Sequence, residues 1–513
     1  MHEANQFKVV IAGAGVAGLT LAHCLDKANI DYVLLDKGVV APSFGTTVTM
    51  QPHGLRMLHQ LGLLEPILAQ SDMMGGAHCR TPDGKSYASN DFFGIVRRGA
   101  GYDTKTLDRQ RFLQTLYDHL PDKTKVHEDA RVQQVFEEES CVRVVLADGR
   151  EFSGDLVVGA DGVHSKMREL MWDIANAAEP GMITVDEKRA MVTTYNAIVM
   201  ASKPIPGIGK HDMEITSNSG FSFLLLCQPD WISIIVHNRL PVEEQCTWPT
   251  RRKFTEEDME ALAKKLAGYP ITESVVFGEL WKNRTKAQMI SLEEGCLDHW
   301  HFGRIVLVGD AIHKVTPNSA LGANTAMEDV VVVANTLVEA LATHPNKKPT
   351  TVEIHDAMRR YQDSRIGRVK AIVKAAGDLT RLQAYHNWKF YFNQRWMTPI
   401  IGLDFLAGNI AKLCVGAPKL SYVEFEEQRG SLGWEDTKAT AALNDAGTLM
   451  RKKGLSGWDE WNGDFESVAP KVLSVLAGIS AVIWVFLFSS VGYSVPGFAR
   501  VSGLVESNAT IFS

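Results

Sequence analysis

Gly13, Gly15 and Gly18 follow a short apolar run, Lys8-Val9-Val10-Ile11-Ala12, and open a helical pattern of Leu19, Leu21, Ala22 and Leu25. This spacing suits the binding of a pyrophosphate. Gly13 allows the tight turn, Gly15 lets the backbone approach the phosphates, and Gly18 lets the helix pack close to the sheet. The anion would sit on the helix N-terminus, where free N–H groups and the dipole favour negative charge. A second β-rich run, Asp31 to Leu35, ends at Asp36, 23 positions after Gly13. That is close to the ~20 expected of a carboxylate that grips a ribose hydroxyl. The triplet alone does not separate an NAD site from an FAD site, and a strand–helix turn that binds no nucleotide is the bland alternative.

Two further groups lie downstream. Asp155 to Gly162, running on to Ser165 and Arg168, reads as a strand, a turn at Asp161-Gly162 and a helix. Asp161 either faces a cofactor or caps that helix. Arg304 to Val308 reads as a strand leading into Gly309-Asp310-Ala311, then Pro317, Gly322, Ala323, Asn324 and Asp329. A helix starting near Gly322 would carry a positive N-terminal end.

In this order the three groups resemble the group A flavoprotein monooxygenase (aromatic hydroxylase-like) superfamily, over about residues 5 to 380. The resemblance implies an α/β fold: a Rossmann-like FAD-binding domain with an inserted β-sheet substrate domain. It implies FAD held by Gly13, Gly15, Gly18 and Asp36, where relatives more often carry Glu. Arg109 resembles the family's FAD-contacting arginine, with Arg111 as its rival, and Gly45 to Thr49 resembles a loop that touches the cofactor by backbone. Thr49 stands where relatives often carry Gly. Asp161 and Arg168 are implied around the cofactor and for transient approach of a nicotinamide nucleotide. Asp310 is implied on the ribityl chain, and the helix start at Gly322, Ala323 and Asn324 at the flavin ring. Ala320 and Ala323 replace two small-residue positions of the family, and Ala fits there if φ is negative. Tyr195 sits where some relatives carry Tyr-Arg facing the substrate, but Asn196 follows here. Tyr195 is thus the one candidate catalytic residue, with a structural hydroxyl as the alternative.

The run Gly309 to Asn318 and the apolar C-terminal segment are similar to fungal FAD-dependent monooxygenases of meroterpenoid and indole-diterpene pathways. This implies NADPH (or NADH) as a transient reductant, O2 as co-substrate, and epoxidation of a prenyl double bond on a lipophilic intermediate. A separate membrane terpene cyclase would then open the epoxide. Hydroxylation of an activated aromatic ring is the alternative, and a flavin-binding scaffold without turnover the third reading.

The rest of the chain must position these residues. At 513 residues it is long enough for two or three domains and a large core. A net charge of −7 argues against nucleic acid as a partner. Seven scattered cysteines, none in a C-x-x-C pair, suggest free thiols. His53, His59, His313 and His355 lie on different elements without metal-ligand spacing, so no metal is expected. The expected division is an FAD-binding first part (5–180), a mostly β-sheet substrate domain (181–298), an FAD-binding second part (299–385) and a helical region (386–470). Within it, Gly220 to Leu226 and Trp231 to Val236 read as a hairpin, and Glu353 to Leu382 as one long amphipathic helix. From Val472 to Tyr493 no residue is charged, and 22 residues at about 1.5 Å each span the ~30 Å hydrocarbon core. A buried core helix is the alternative. Lys471, Arg451, Lys452 and Lys453 precede this run and only Arg500 follows it, so the positive-inside bias places the catalytic domain in the cytoplasm. The segment reads as a tail anchor in the endoplasmic reticulum, with 494–513 beyond it carrying a sequon at Asn508.

Overall fold

Apolar runs between glycine turns form the central sheet of the computed structural model, which describes residues 6–437 except 44 and 345–347. Its six strands run in the order His301–Phe302, Ile305–Leu307, Leu156–Gly159, Lys8–Ala12, Asp31–Leu35, Val126–His127. All pairings are parallel except the edge pair His301–Phe302 with Ile305–Leu307. Parallel strands covered on both faces must be apolar throughout, and Val9, Val10, Ile11, Val157 and Val158 are fully buried. The helix Val16–Lys27 follows the first strand, and Gly322–Ala342 packs against it.

A second, mostly antiparallel sheet lies over the cofactor motifs. Its main path is His313–Lys314, Arg284–Cys296, Val192–Ser202, Ile232–Arg239, Phe221–Cys227, Met213–Asn218, Ala77–Arg80, Ser86–Asn90. The hairpin expected around Gln228 is present as Phe221–Cys227 paired with Ile232–Arg239. This sheet recruits chain from outside 181–298: Ala77 to Asn90 on one edge and His313-Lys314 on the other. The strands at 77–90 are short, and Gly75-Gly76 before them and the turn Pro82-Asp83-Gly84 between them are the local signals that sequence reading passed over.

The long helix spans Thr351–Gln383, and its N-terminus is fixed by a capping box of Thr350 and Glu353. Beyond it, Trp388–Phe392, a π-helical turn Asn393–Met397, Thr398–Ile401 and Leu403–Val415 form a bent helical arm. Of the region 386–470 expected to be helical, the described part is helical to Val415 and again at 435–437, and 438–470 lies outside the described residues. Residues 416–434 run back without helix, tied down by Glu427 on the buried Arg56 (Nε–Oε1 2.8 Å) and by Trp434, whose ring stacks on that guanidinium. The described residues belong to one compact unit spanning 1–443. Among them no single helix is long and apolar enough to cross a membrane; the bent pair Trp388–Ile401 and Leu403–Val415, turned by 89°, passes by length and composition together. The expected span Val472 to Tyr493 and the tail 494–513 lie outside the described residues.

Candidate functional site

The glycine triplet builds a cradle with one open position. Gly13 has φ +111°, and a Cβ there would meet the Ala160 carbonyl at 2.4 Å; its N–H donates to Leu35 O at 2.7 Å. A Cβ on Gly18 would lie 1.8 Å from Gly13 O, so the helix can sit this close only with glycine. Gly15 is the opposite case. It has ordinary backbone angles and nothing within 4 Å of a built Cβ, so its glycine serves space rather than turn geometry. No side chain caps the helix that Gly15 opens, so its first N–H groups face that open space. Asp36 ends the second strand as expected, with Oδ2 accepting from Ala14 N at 2.6 Å and Oδ1 from Gly38 N at 2.9 Å. Its carboxylate thus also fixes the backbone of the glycine loop.

The second motif resolves one alternative toward structure. Asp161 caps the helix Lys166–Ala178, accepting from Lys166 N at 2.7 Å and Met167 N at 3.0 Å. Arg168 is fully buried and donates to Ala311 O and Val163 O, both at 2.9 Å, so it ties the second motif to the third. In the third motif Asp310 pairs with Lys314, a lysine that no glycine spacing signals. Burial alone would lower the Lys314 ammonium pKa, but Asp310 and Glu293 override it and raise it. Burial also lowers the Arg109 guanidinium, opposed by the charge of Asp310. Arg109 faces the same space as Asp310, whereas its rival Arg111 is exposed.

Asn324 is wholly buried and works as a staple. Its Nδ2 donates to Thr49 O (2.9 Å) and Ala320 O (2.7 Å), and its Oδ1 accepts from Gln51 N at 3.0 Å. It thereby locks the 45–51 loop to the start of the helix Gly322–Ala342, whose Gly322 again opens on free space. Behind this turn Asp329 Oδ2 accepts from Gly309 N (3.1 Å) and faces His313 Nε2 (2.6 Å), while Oδ1 accepts from Arg365 Nε (3.0 Å). Arg365 also pairs with Glu328, and all three charged groups are buried. The expectation for Ala320 needs correction. It sits at φ +54°, in the left-handed region that a Cβ disfavours, so the small residue is strained there rather than accommodated. Ala323 is under no such strain.

These elements enclose one cavity of about 560 Å³. Gly15, Thr49, Arg109, Asp310, Gly322 and Ala323 line one half, joined by Gln51, Lys314 and Asn318, which sequence reasoning missed. The Gln51-Pro52 step that starts a helix was the one available signal for Gln51. The other half is walled by the second sheet (Cys79, Met213, Ile215, Leu224, Leu226, Ile235), by Phe92 and Phe93, and by the helical arm through Leu403, Leu406 and Ile410. Tyr195 is not among the lining residues. It is buried, and its hydroxyl is bonded to His386 Nδ1 at 2.7 Å. Among the described residues, no group of three or more His, Cys, Asp or Glu side chains could hold a metal ion, and the seven cysteines are unpaired thiols.

Comparison with known proteins agrees with this geometry. The family model described as an FAD binding domain matches residues 6–373. The chain is 67% identical over 504 residues to the FAD-dependent monooxygenase DEP2 of Fusarium langsethiae, covering 97% of this chain and 96% of that one. It is 64% identical over 504 residues to DEP2 of Alternaria brassicicola, covering 96% of each. Among solved structures it resembles Klebsiella pneumoniae HpxO complexed with FAD and uric acid, with a TM-score of 0.65 and 19% identity over 80% of this chain and 97% of that chain. That likeness concerns the fold. The open Gly15 position, the uncapped helix start beside it and the second open helix start at Gly322 fit a bound FAD on their own terms. The chain belongs to the FAD-binding-domain family and is an FAD-dependent monooxygenase.

Proposed function

We propose that this monooxygenase uses NADPH and O2 to epoxidise a prenyl double bond on a lipophilic intermediate of meroterpenoid or indole-diterpene type, ahead of cyclisation. The observation that carries this reading is the chemistry of the cavity half away from the glycine motifs. Its walls are aliphatic and aromatic, with Gln383, Gln394, Thr398 and Asn409 as polar additions, and among the described residues no acidic or basic side chain lines it. Its one titratable group is the Cys79 thiol, which burial pushes up to about 12, so it stays neutral. Hydroxylation of a phenolic ring gains from a base that takes the ring proton. Epoxidation of an alkene removes no proton, and an apolar wall suffices to hold the chain.

FAD, when bound and reduced, supplies the activation of oxygen. The protein's own work is to hold the flavin through the glycine cradle, Asp310 and the Gly322 helix start, to lay the alkene along the second sheet, and to keep water from the apolar half. The turn at Gly162 lines the cavity and borders the side on which a nicotinamide nucleotide would approach. The uncharged run Val472 to Tyr493 supports a C-terminal anchor in the endoplasmic reticulum, with the catalytic domain on the cytoplasmic side and a membrane terpene cyclase as functional neighbour.

The test is incubation with NADPH, labelled O2 and a matched set of a prenylated aromatic, its saturated-chain analogue and the unprenylated ring. The expected product is the prenylated compound with one labelled oxygen as an epoxide, and no product from the saturated analogue. Label on the ring of any member would favour the aromatic hydroxylase, and no label at all the scaffold.

A further inference from the structure

Seven of the fourteen large hydrophobic side chains that stand exposed among the described residues fall between positions 388 and 406. Trp388 is 72% exposed, Ile400 74% and Phe405 55%, with Tyr391, Phe392 and Trp396 beside them. A soluble face of this density has no packing reason to exist, because single exposed apolar residues are ordinary but a contiguous set marks a contact surface. The set lies on the bent helical arm, where the π-helical turn Asn393–Met397 and the break at Gly402 (φ +84°) turn successive apolar side chains outward.

Composition selects the partner. Trp and Tyr mixed with Lys and Arg is the pattern of a membrane–water interface, where amphipathic rings sit at headgroup level and basic side chains meet anionic lipid. Residues 385–415 carry Lys389, Arg395 and Lys412 against Asp404 alone, in a chain whose net charge is −7. Asp404 is itself engaged, accepting from Asn90 Nδ2 at 2.7 Å. The Arg395 guanidinium stacks 4.9 Å from the Trp396 ring, and the Lys389 ammonium lies 5.9 Å from the Trp388 ring. A protein partner would more often meet a face depleted in lysine. The arm's inner side is also part of the cavity wall, and Leu406 both lines the cavity and is 37% exposed, so the face and the apolar cavity half meet at one residue.

We infer that the outer face of the arm 388–406 lies in the headgroup layer of an anionic membrane, so that the cavity mouth at Leu406 opens toward lipid. This contact is separate from the 472–493 span. It adds to the proposed function a route by which a lipid-dissolved substrate enters without crossing water. The geometry that carries it does not depend on the reaction.

The full-length chain is reconstituted in phosphatidylcholine vesicles with about a third phosphatidylserine and a phospholipid bearing a photoactivatable acyl chain. Adducts are mapped by mass spectrometry after irradiation. Adducts are expected within 388–406 in addition to any in 472–493. The double variant Ile400→Asp/Phe405→Asp alters two exposed positions. It should lose about tenfold of the 388–406 adducts while keeping its flavin absorbance and its 472–493 labelling. Adducts confined to 472–493, or 388–406 adducts that the double variant leaves unchanged, would overturn the inference. So would lipid-free cross-linked dimers abolished by the double variant, with no lipid adducts on the arm. Because no readout uses turnover, failure of the epoxidase reading leaves this result interpretable.

Discussion

Replacing Arg365 with methionine removes the cation that two buried carboxylates share. Arg365 reaches Asp329 Oδ1 at 3.0 Å and pairs with Glu328, and neither carboxylate has exposed side-chain surface. Breaking a buried pair from one side typically costs 3–5 kcal/mol. The low end applies, because Arg368 still reaches Glu328 at 2.8 Å and His313 still faces Asp329 at 2.6 Å. With an unfolding entropy near 2.1 cal/mol/K per residue, a unit of this size has roughly 0.9 kcal/mol/K, so about 3 kcal/mol lowers the thermal midpoint by about 3 °C. The effect depends on pH with a definite sign. Burial would raise the Glu328 carboxyl, but Arg365 and Arg368 override it and hold it at about 2, below its ordinary 4.5. A depressed carboxylate stabilises the fold above its unfolded pKa, and that stability is lost as pH falls from about 4.5 toward 2. In Arg365→Met the folded pKa rises, so the deficit is largest at neutral pH and closes on acidification below about 5. Since Asp329 also holds Gly309 N, the variant should lose flavin faster than wild type. Thermal unfolding across this pH range, read alongside flavin fluorescence, checks all three. A variant with an unchanged midpoint at neutral pH and unchanged flavin retention would refute the assignment of the cluster as the support of the Gly309 turn.

Three further outcomes follow from particular residues. Ala320→Gly should raise the thermal midpoint, because it relieves a left-handed alanine costing ~1–2 kcal/mol; a lower midpoint by calorimetry would contradict the strain. Tyr195→Phe removes the bond to His386 and should cost about 1 kcal/mol of stability while keeping turnover within about threefold, since a lost catalytic proton transfer would cost ~100-fold or more. A chain ending near Ser467 keeps every cofactor motif and should retain flavin while losing tight membrane association, as carbonate extraction followed by absorbance would report. Aggregated, flavin-free protein would instead show that the apolar run completes the core.

What the sequence made readable is what local physics dictates. Gly13 and Gly18 are required by a positive φ and by helix–strand contact, and both constraints act within a few residues, so the motif announces itself. The strands at 8–12, 31–35 and 156–159 are apolar on both faces, and the helix from 351 to 383 carries its own cap. What stayed hidden depends on partners distant in sequence. Asn324 bonds to residues some 275 positions away, and nothing in its neighbourhood marks it as a staple. Asp161 left two readings open because a helix cap and a cofactor contact ask for the same carboxylate. The strand pair at 77–90 carries its own turn signal at Pro82-Asp83-Gly84, but its place on the second sheet depends on pairing with residues 213–216, more than 130 positions away. Ala320 adopts a left-handed angle because the tight turn between Pro317 and the Gly322 helix imposes it, against the residue's preference. The helical arm ends at Val415 because Gly416 and Pro418 follow, and the onward chain finds its bonds on Arg56 and Gln60 instead.

If the flavin pyrophosphate lies in the open space at Gly15, filling that space must weaken FAD binding. Gly15→Val puts a branched side chain into that space, with no protein atom within 4 Å of its Cβ and backbone angles that suit any residue. FAD is titrated into flavin-stripped wild type and variant, with the thermal midpoint of each flavin-free protein as a control for folding. Matching flavin-free midpoints are expected, with FAD binding weakened by about 100-fold or more, the equivalent of some 3 kcal/mol. A variant that binds FAD as tightly as wild type would contradict that placement.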